Sequence, residues 1–179
     1  SNAAVGNVPG SSGGYGPGWM GTSTNNNLLT VSQSVPVLLG YGAAASSAND
    51  ACVIEFDFVP TKDTMKFDFV FSSDEWPTYP CSFYNDVFGF FVSGPGLTGT
   101  LNNPTGFTGT SNFANVPGTN IPITITSINP GSTGCAASFA QYHNVTPGTS
   151  AFDHYAYTDK FTVQFPVTPC QTYHFAIAI

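Results

Sequence analysis

Arginine is missing from this chain, and its only basic residues are Lys62, Lys66 and Lys160. Against ten acidic residues they leave a net charge of −7. Nucleic acid is excluded as a partner, because phosphate recognition needs a basic stripe. Docking on anionic lipid is excluded likewise, since it takes a cluster of basic side chains. Charged residues of both signs reach only 7%, where roughly 25% is ordinary. Long apolar runs are also lacking. The best, "VPVLLGYGAAA", is broken by Pro36, Gly40 and Gly42, far short of the ~20 residues of a membrane span. No GxSxG or HExxH surrounds His143, His154 or His174, which removes the commonest hydrolase signatures.

Hydrophobic residues make up 41% and aromatics 15% of the 179 residues. That is enough to drive collapse despite the many glycines and prolines, and the length suits one domain. The opening "SNA", residues 1–3, reads as a cloning scar and is set aside. Residues 4–30 are rich in Gly, Ser and Asn with isolated Tyr15 and Trp19, the composition of a surface arm or loop. Residues 31–179 are expected to form a single domain.

The four cysteines, Cys52, Cys81, Cys135 and Cys170, have no CxxC spacing. In a chain of such low charge they predict disulfides and an oxidising, extracellular compartment. Three pairings are possible. Cys81 and Cys135 both fall in loops while Cys52 and Cys170 each precede a strand, so the expected bonds are Cys81–Cys135 and Cys52–Cys170.

Period-2 alternation dominates the rest. In "CVIEFDFV", Ile54, Phe56 and Phe58 oppose Glu55 and Asp57; in "MKFDFVF", Met65, Phe67, Phe69 and Phe71 oppose Lys66 and Asp68. Both are half-buried strands. The intervening "PTKD" predicts a hairpin that pairs Val59 with Thr64 and sets Asp57 against Lys66. Further strands are expected at 87–92, 121–128, 161–167 and 172–179, with a weaker one at 31–38. No helical stripe is sustained over ten residues. The predicted fold class is all-β: an antiparallel, jelly-roll-like sandwich with long Gly/Pro/Asn-rich loops.

The stretch "SSDEWPTYPCSFYNDVFGFFVSGPG", residues 72–96, gathers three of the ten acidic residues with seven aromatics and a cysteine. Asp74, Glu75, Asn85 and Asp86 should meet at one rim of the sandwich. Oxygen ligands without sulfur or imidazole suit a hard ion such as calcium. Turn capping by the same side chains is the alternative. Trp76, Tyr79 and Tyr84, with Trp19, are candidate platforms for a glycan or a partner protein, since rigid rings lose little entropy on binding; each could instead fold back on the core. His154, with Asp153, Tyr155 and Tyr157, is the best histidine for a surface role.

Three segments, "NDACVIEFDFVPTKDTMKFDFVFSSDEWPTYPCSFYNDVFGFFVSGPG", "VPGTNIPITITSIN" and "PCQTYHFAIAI", closely resemble the choice-of-anchor L domain. That resemblance implies a β-rich module of secreted or surface proteins from Bacteroidota and some other bacteria. Its acidic motif usually reads two glutamates and a tyrosine where this chain has Asp74, Glu75 and Trp76. The resemblance further implies an acidic turn and one more strand after residue 179, so the sandwich is expected to lack its last strand. Tyr173, Phe175, Ile177 and Ile179 alternate with small or polar neighbours, which places 172–179 mid-sheet. The vacant position is then a template for strand addition by a neighbouring molecule, the 4–30 arm or a separate fragment.

The function expected from all this is a non-catalytic extracellular module for adhesion or ligand binding with a calcium-stabilised loop. A structural spacer is the first alternative. A carbohydrate-active enzyme using Asp74 and Glu75 as an acid/base pair is the second.

Overall fold

The computed structural model describes residues 25–76, 78–97, 111–147 and 154–179; Trp19, Asp153 and most of the 4–30 segment lie outside them. Among the described residues one α-helix, α1 (Asn26–Leu39), precedes nine strands: β1 (Val53–Phe58), β2 (Thr64–Phe69), β3 (Ser72–Ser73), β4 (Gly89–Ser93), β5 (Ser111–Asn112), β6 (His143–Val145), β7 (Ala156–Thr158), β8 (Phe161–Pro166) and β9 (Tyr173–Ala178). All pairings are antiparallel. The order β1-β9-β4-β5 makes one sheet, β2-β8 a second and β3-β7-β6 a third.

The first two sheets face each other as a sandwich. Phe90, Val92, Tyr173 and Phe175 come from the first and Val163 and Phe165 from the second, with Met65 and Phe67 packed against them. Phe67 meets Phe90 edge-on at 4.7 Å and stacks on Phe175 at 5.0 Å. The alternation read from 161–167 and 172–179 survives intact. Phe161, Val163 and Phe165 are buried while Thr162 and Gln164 are exposed, and β9 runs between β1 and β4 as its two-sided apolar pattern requires.

The expected hairpin does not form. β1 pairs with β9 and β2 with β8, so residues 59–63 arch from one sheet to the other. Arching turns both apolar faces inward, which a flat hairpin would achieve only with a further sheet beneath it. The wet-face pairs change accordingly. Asp57 meets His174 at 2.9 Å, Lys66 lies across from Gln164, and Asp68 binds Lys160 at 3.1 Å and the Thr162 hydroxyl at 2.6 Å. Those two bonds hold the Asp68 carboxyl below its usual range.

Residues 26–39 are helical rather than arm and strand. Leu28, Val31 and Val35 form an i, i+3, i+7 stripe that polar Ser32 and Ser34 and the helix-internal Pro36 disguise. Asn25 caps the start by accepting from the Leu28 N–H at 3.0 Å, and Gly40 closes the end with φ 77°. Leu28 and Val31 pack on Phe91, Ala176 and Ala178, covering the outer face of β4 and β9. Each such buried side chain contributes roughly 1.5–3 kcal/mol.

The 121–128 strand is also replaced. Only isolated bridges at Pro122 and Thr124 remain. The Ser127 hydroxyl bonds the Pro122 carbonyl at 2.6 Å, and Asn129 bonds the Thr126 carbonyl at 2.6 Å. Side chains that bond their own backbone in this way compete with a sheet ladder.

Candidate functional site

β2 runs through Phe71 into β3, whose two serines open the acidic loop. Ser73 is buried, and its hydroxyl accepts from the Glu75 N–H at 2.9 Å while donating to Asp86 Oδ2 at 2.5 Å. Asp74 Oδ1 accepts from the Tyr155 N–H at 2.8 Å, and Ser72 Oγ shares a 2.7 Å hydrogen bond with His154 Nδ1. Strand β3 pairs with β7, which starts two residues after His154, so the pairing carries His154 to the carboxylates. Asp74, Glu75 and Asp86 therefore do gather at one rim.

The crowding is legible in the acidity of Glu75 and Asp86. Loss of surrounding water raises the Glu75 carboxyl above its ordinary range, and the Asp86 and Asp74 charges raise it further. Asp86 lies exposed at the surface, yet the protein crowded around it strips its carboxyl of enough water to push it up. The Ser73 hydrogen bond and the His154 charge oppose that shift only in part, and Asp74 adds to it.

This has a consequence for stability. A carboxyl with a raised folded-state pKa binds more protons folded than unfolded, so its penalty is absent below the unfolded value and grows as pH rises through the folded one. Asp86→Asn, which keeps an acceptor for Ser73, is expected to raise the melting temperature at neutral pH. At about pH 3, below the ordinary carboxylate range, wild type and variant should coincide. Parallel melting curves across pH check this; an Asp86→Asn protein less stable at neutral pH would show that the charge is a net stabiliser.

The remaining predicted residues divide. Asn85 turns away from the rim: its Oδ1 accepts from the Thr126 N–H at 3.2 Å and its amide reaches Ser32 Oγ at 3.4 Å. It braces the loop against α1 and the 121–128 turn. Trp76 is no platform. It is fully buried, and Nε1 donates to the carbonyls of Ile125 at 3.0 Å and Ile128 at 2.8 Å. Tyr79 and Tyr84 do face solvent, 39% and 65% exposed, and meet edge-on at 5.4 Å. Phe83, not singled out from the sequence, is 69% exposed beside them; its place between Ser82 and Tyr84 in a Pro- and Cys-bounded turn was the available signal.

Disulfide Cys81–Cys135, with Cα atoms 5.6 Å apart, ties this aromatic turn to the loop after the 121–128 segment. The Cys81 N–H donates to Thr126 Oγ1 at 2.9 Å and its carbonyl accepts from Ala43 at 3.1 Å. The second expected bond is absent: Cys52 and Cys170 are free thiols. Cys52 pairs with Ile179 beyond one end of β9, whereas Cys170 lies before the other end, bonded to the Pro60 carbonyl. Six strand residues at ~3.4 Å each separate those ends, well over the ~7 Å that a disulfide can bridge.

Chemically, the rim offers carboxylates and hydroxyls. Among the described residues no group of three or more His, Cys, Asp or Glu side chains is arranged to hold a metal ion. Ser72 and His154 are paired as in a hydroxyl nucleophile and its base. A shallow cleft of about 240 Å³ lies elsewhere, lined by Phe113, Val116, Phe161, Val163 and Gln164 among others, with no titratable side chain.

No curated protein and no solved structure matches the chain. A family model, the choice-of-anchor L domain, matches residues 5–179. The chain therefore belongs to the choice-of-anchor L domain family, a family of modules of secreted or surface proteins that are in general non-catalytic.

Proposed function

We propose that this domain is an extracellular recognition module whose contact surface is the aromatic turn of Tyr79, Phe83 and Tyr84. The observation that carries the reading is the exposure of three large rings on a turn pinned by the Cys81–Cys135 disulfide. Rings held rigid before contact lose little entropy on binding. Carbohydrate is the favoured ligand class: sugar C–H faces stack on such rings, and the backbone of Glu75 joins the turn directly to the carboxylate rim through the Tyr79 N–H at 3.0 Å. A surface protein is the alternative ligand.

Calcium at the rim forms part of the same proposal. The charges of Asp74 and Asp86 bear on Glu75 and that of Asp74 bears on Asp86, and a divalent cation would relieve that repulsion. Asn85 drops out of the ligand set because its oxygen is taken by Thr126.

Glycan-array binding, run with calcium and with EGTA, tests both parts. Tyr84→Ala is expected to weaken binding at least tenfold without shifting the melting curve, and Asp86→Asn to abolish only the calcium dependence. Binding unchanged in Tyr84→Ala, or confined to proteins rather than glycans, would move the contact surface or change its ligand class. Signals identical in calcium and EGTA would remove the ion.

A further inference from the structure

Among the described residues, β1 overhangs the edge of the second sheet and the space beneath it is unfilled. Its residues Ile54, Phe56 and Phe58 face inward, opposite Ile177, Phe175 and Tyr173 of β9. The Phe56 ring reaches Phe175 at 4.9 Å and Phe58 stacks on Tyr173 at 5.6 Å. Yet Ile54 is 60% and Phe56 43% exposed. The cause is the narrow second sheet. Phe67 of β2 lies under β9 and β4, and Phe165 of β8 stacks on Phe113, just after β5, at 4.2 Å. Among the described strands none lies beneath β1.

Beside that space runs the open edge of β2. The Val167 N–H donates to the Asp63 carbonyl at 2.8 Å, so in the β2–β8 ladder the hydrogen-bonded positions of β2 are Met65, Phe67 and Phe69. Pro166, which has no N–H, accordingly falls opposite Thr64 at a position that needs none. Thr64, Lys66 and Asp68 therefore turn their backbone N–H and C=O groups outward, and no described residue bonds them.

We propose that this slot receives one extended segment of a partner polypeptide, pairing antiparallel with Thr64, Lys66 and Asp68 and laying alternate apolar side chains beneath Ile54 and Phe56. Charge defines the partner further. Lys66 faces only Gln164 across the ladder, and its nearest carboxylate along β2, Asp68, is engaged by Lys160 and Thr162. The partner strand carries a carboxylate opposite Lys66 and a hydroxyl side chain opposite Asp68. A second copy pairing through its own β2 does not fit. Antiparallel pairing of identical edges puts a two-fold axis across the sheet, which drives both overhanging β1 strands into the same space.

The test is residue-resolved amide exchange with a short synthetic peptide alternating valine and threonine, one threonine replaced by glutamate. Binding should protect Thr64, Lys66 and Asp68 and leave the already bonded Met65 and Phe67 amides unchanged. Lys66→Glu should prefer the matching lysine peptide, a charge pair worth about two- to fivefold in Kd. The proposal is overturned if the peptide fails to bind or protects other residues. It is equally overturned if the three amides are protected without peptide: at all concentrations, another part of this chain covers the edge; only at high concentration, a second copy does. Tyr84→Ala should bind the peptide normally, so failure here is separable from failure of the aromatic turn.

Discussion

Trp76→Ala is expected to cost roughly 3–5 kcal/mol, the range for emptying a buried large aromatic site. That is a large share of the ~5–15 kcal/mol that holds an ordinary domain folded. The indole is completely enclosed with Phe71, Val116, Ile123, Ile125 and Ile128. Phe71 meets it edge-on at 5.6 Å and His143 at 5.1 Å, and loss of water around His143 favours its neutral ring. Truncation does more than open a cavity. Nε1 is the donor to both the Ile125 and Ile128 carbonyls, which belong to the irregular segment that has no ladder of its own. Trp76→Phe should therefore still lose ~1–3 kcal/mol, mostly from carbonyls left without a donor. Denaturant unfolding of the two variants separates the contributions. A Trp76→Ala protein of unchanged stability with lost ligand binding would return Trp76 to the surface role its sequence context suggests.

That contrast shows what the sequence can reveal about this molecule. β4, β8 and β9 are legible because aromatic and β-branched residues alternate with polar ones or run unbroken through a centre strand. Alternation states which residues share a face; it is silent on which sheet the face belongs to. The arch between β1 and β2 went unseen for that reason, since Ile54–Phe58 and Met65–Phe69 would look the same in a hairpin. Helix α1 hides because its buried stripe includes Ser32 and Ser34, whose small polar side chains fit against the sheet but carry no hydrophobic signal. In the acidic loop the convergence of Asp74, Glu75 and Asp86 follows from the strands that flank it. The fates of Trp76 and Tyr84 do not. Each is an aromatic among turn formers, and only carbonyls about fifty residues away, presented by a segment with no regular structure, decide that one is core and the other surface. Likewise Asn85 has the right chemistry for a ligand until Thr126 arrives to claim its oxygen.

Removing the Cys81–Cys135 bond should be comparably costly and should reach the contact surface as well. The bridge spans 54 residues of sequence, and closing a loop of that size removes roughly 4 kcal/mol of unfolded-chain entropy in the chain-entropy model. Cys81→Ala/Cys135→Ala is therefore expected to lose about 2–5 kcal/mol. The lost constraint falls at a particular place. Cys81 has a φ of 67°, a left-handed conformation that a non-glycine residue adopts only when its surroundings enforce it. With the bridge gone, the Thr126 hydroxyl and the Ala43 N–H remain to hold that turn. Tyr79, Phe83 and Tyr84 should then sample more orientations, and ligand affinity should fall even at temperatures where the domain stays folded. Peptide mapping without reduction is expected to find Cys52 and Cys170 alkylated and Cys81 linked to Cys135. Amide exchange should show the 79–84 turn opening in the double variant while β4, β8 and β9 keep their protection. Equal protection of the turn in both proteins would assign the rigidity of the aromatic surface to its hydrogen bonds and leave the disulfide a role in stability alone.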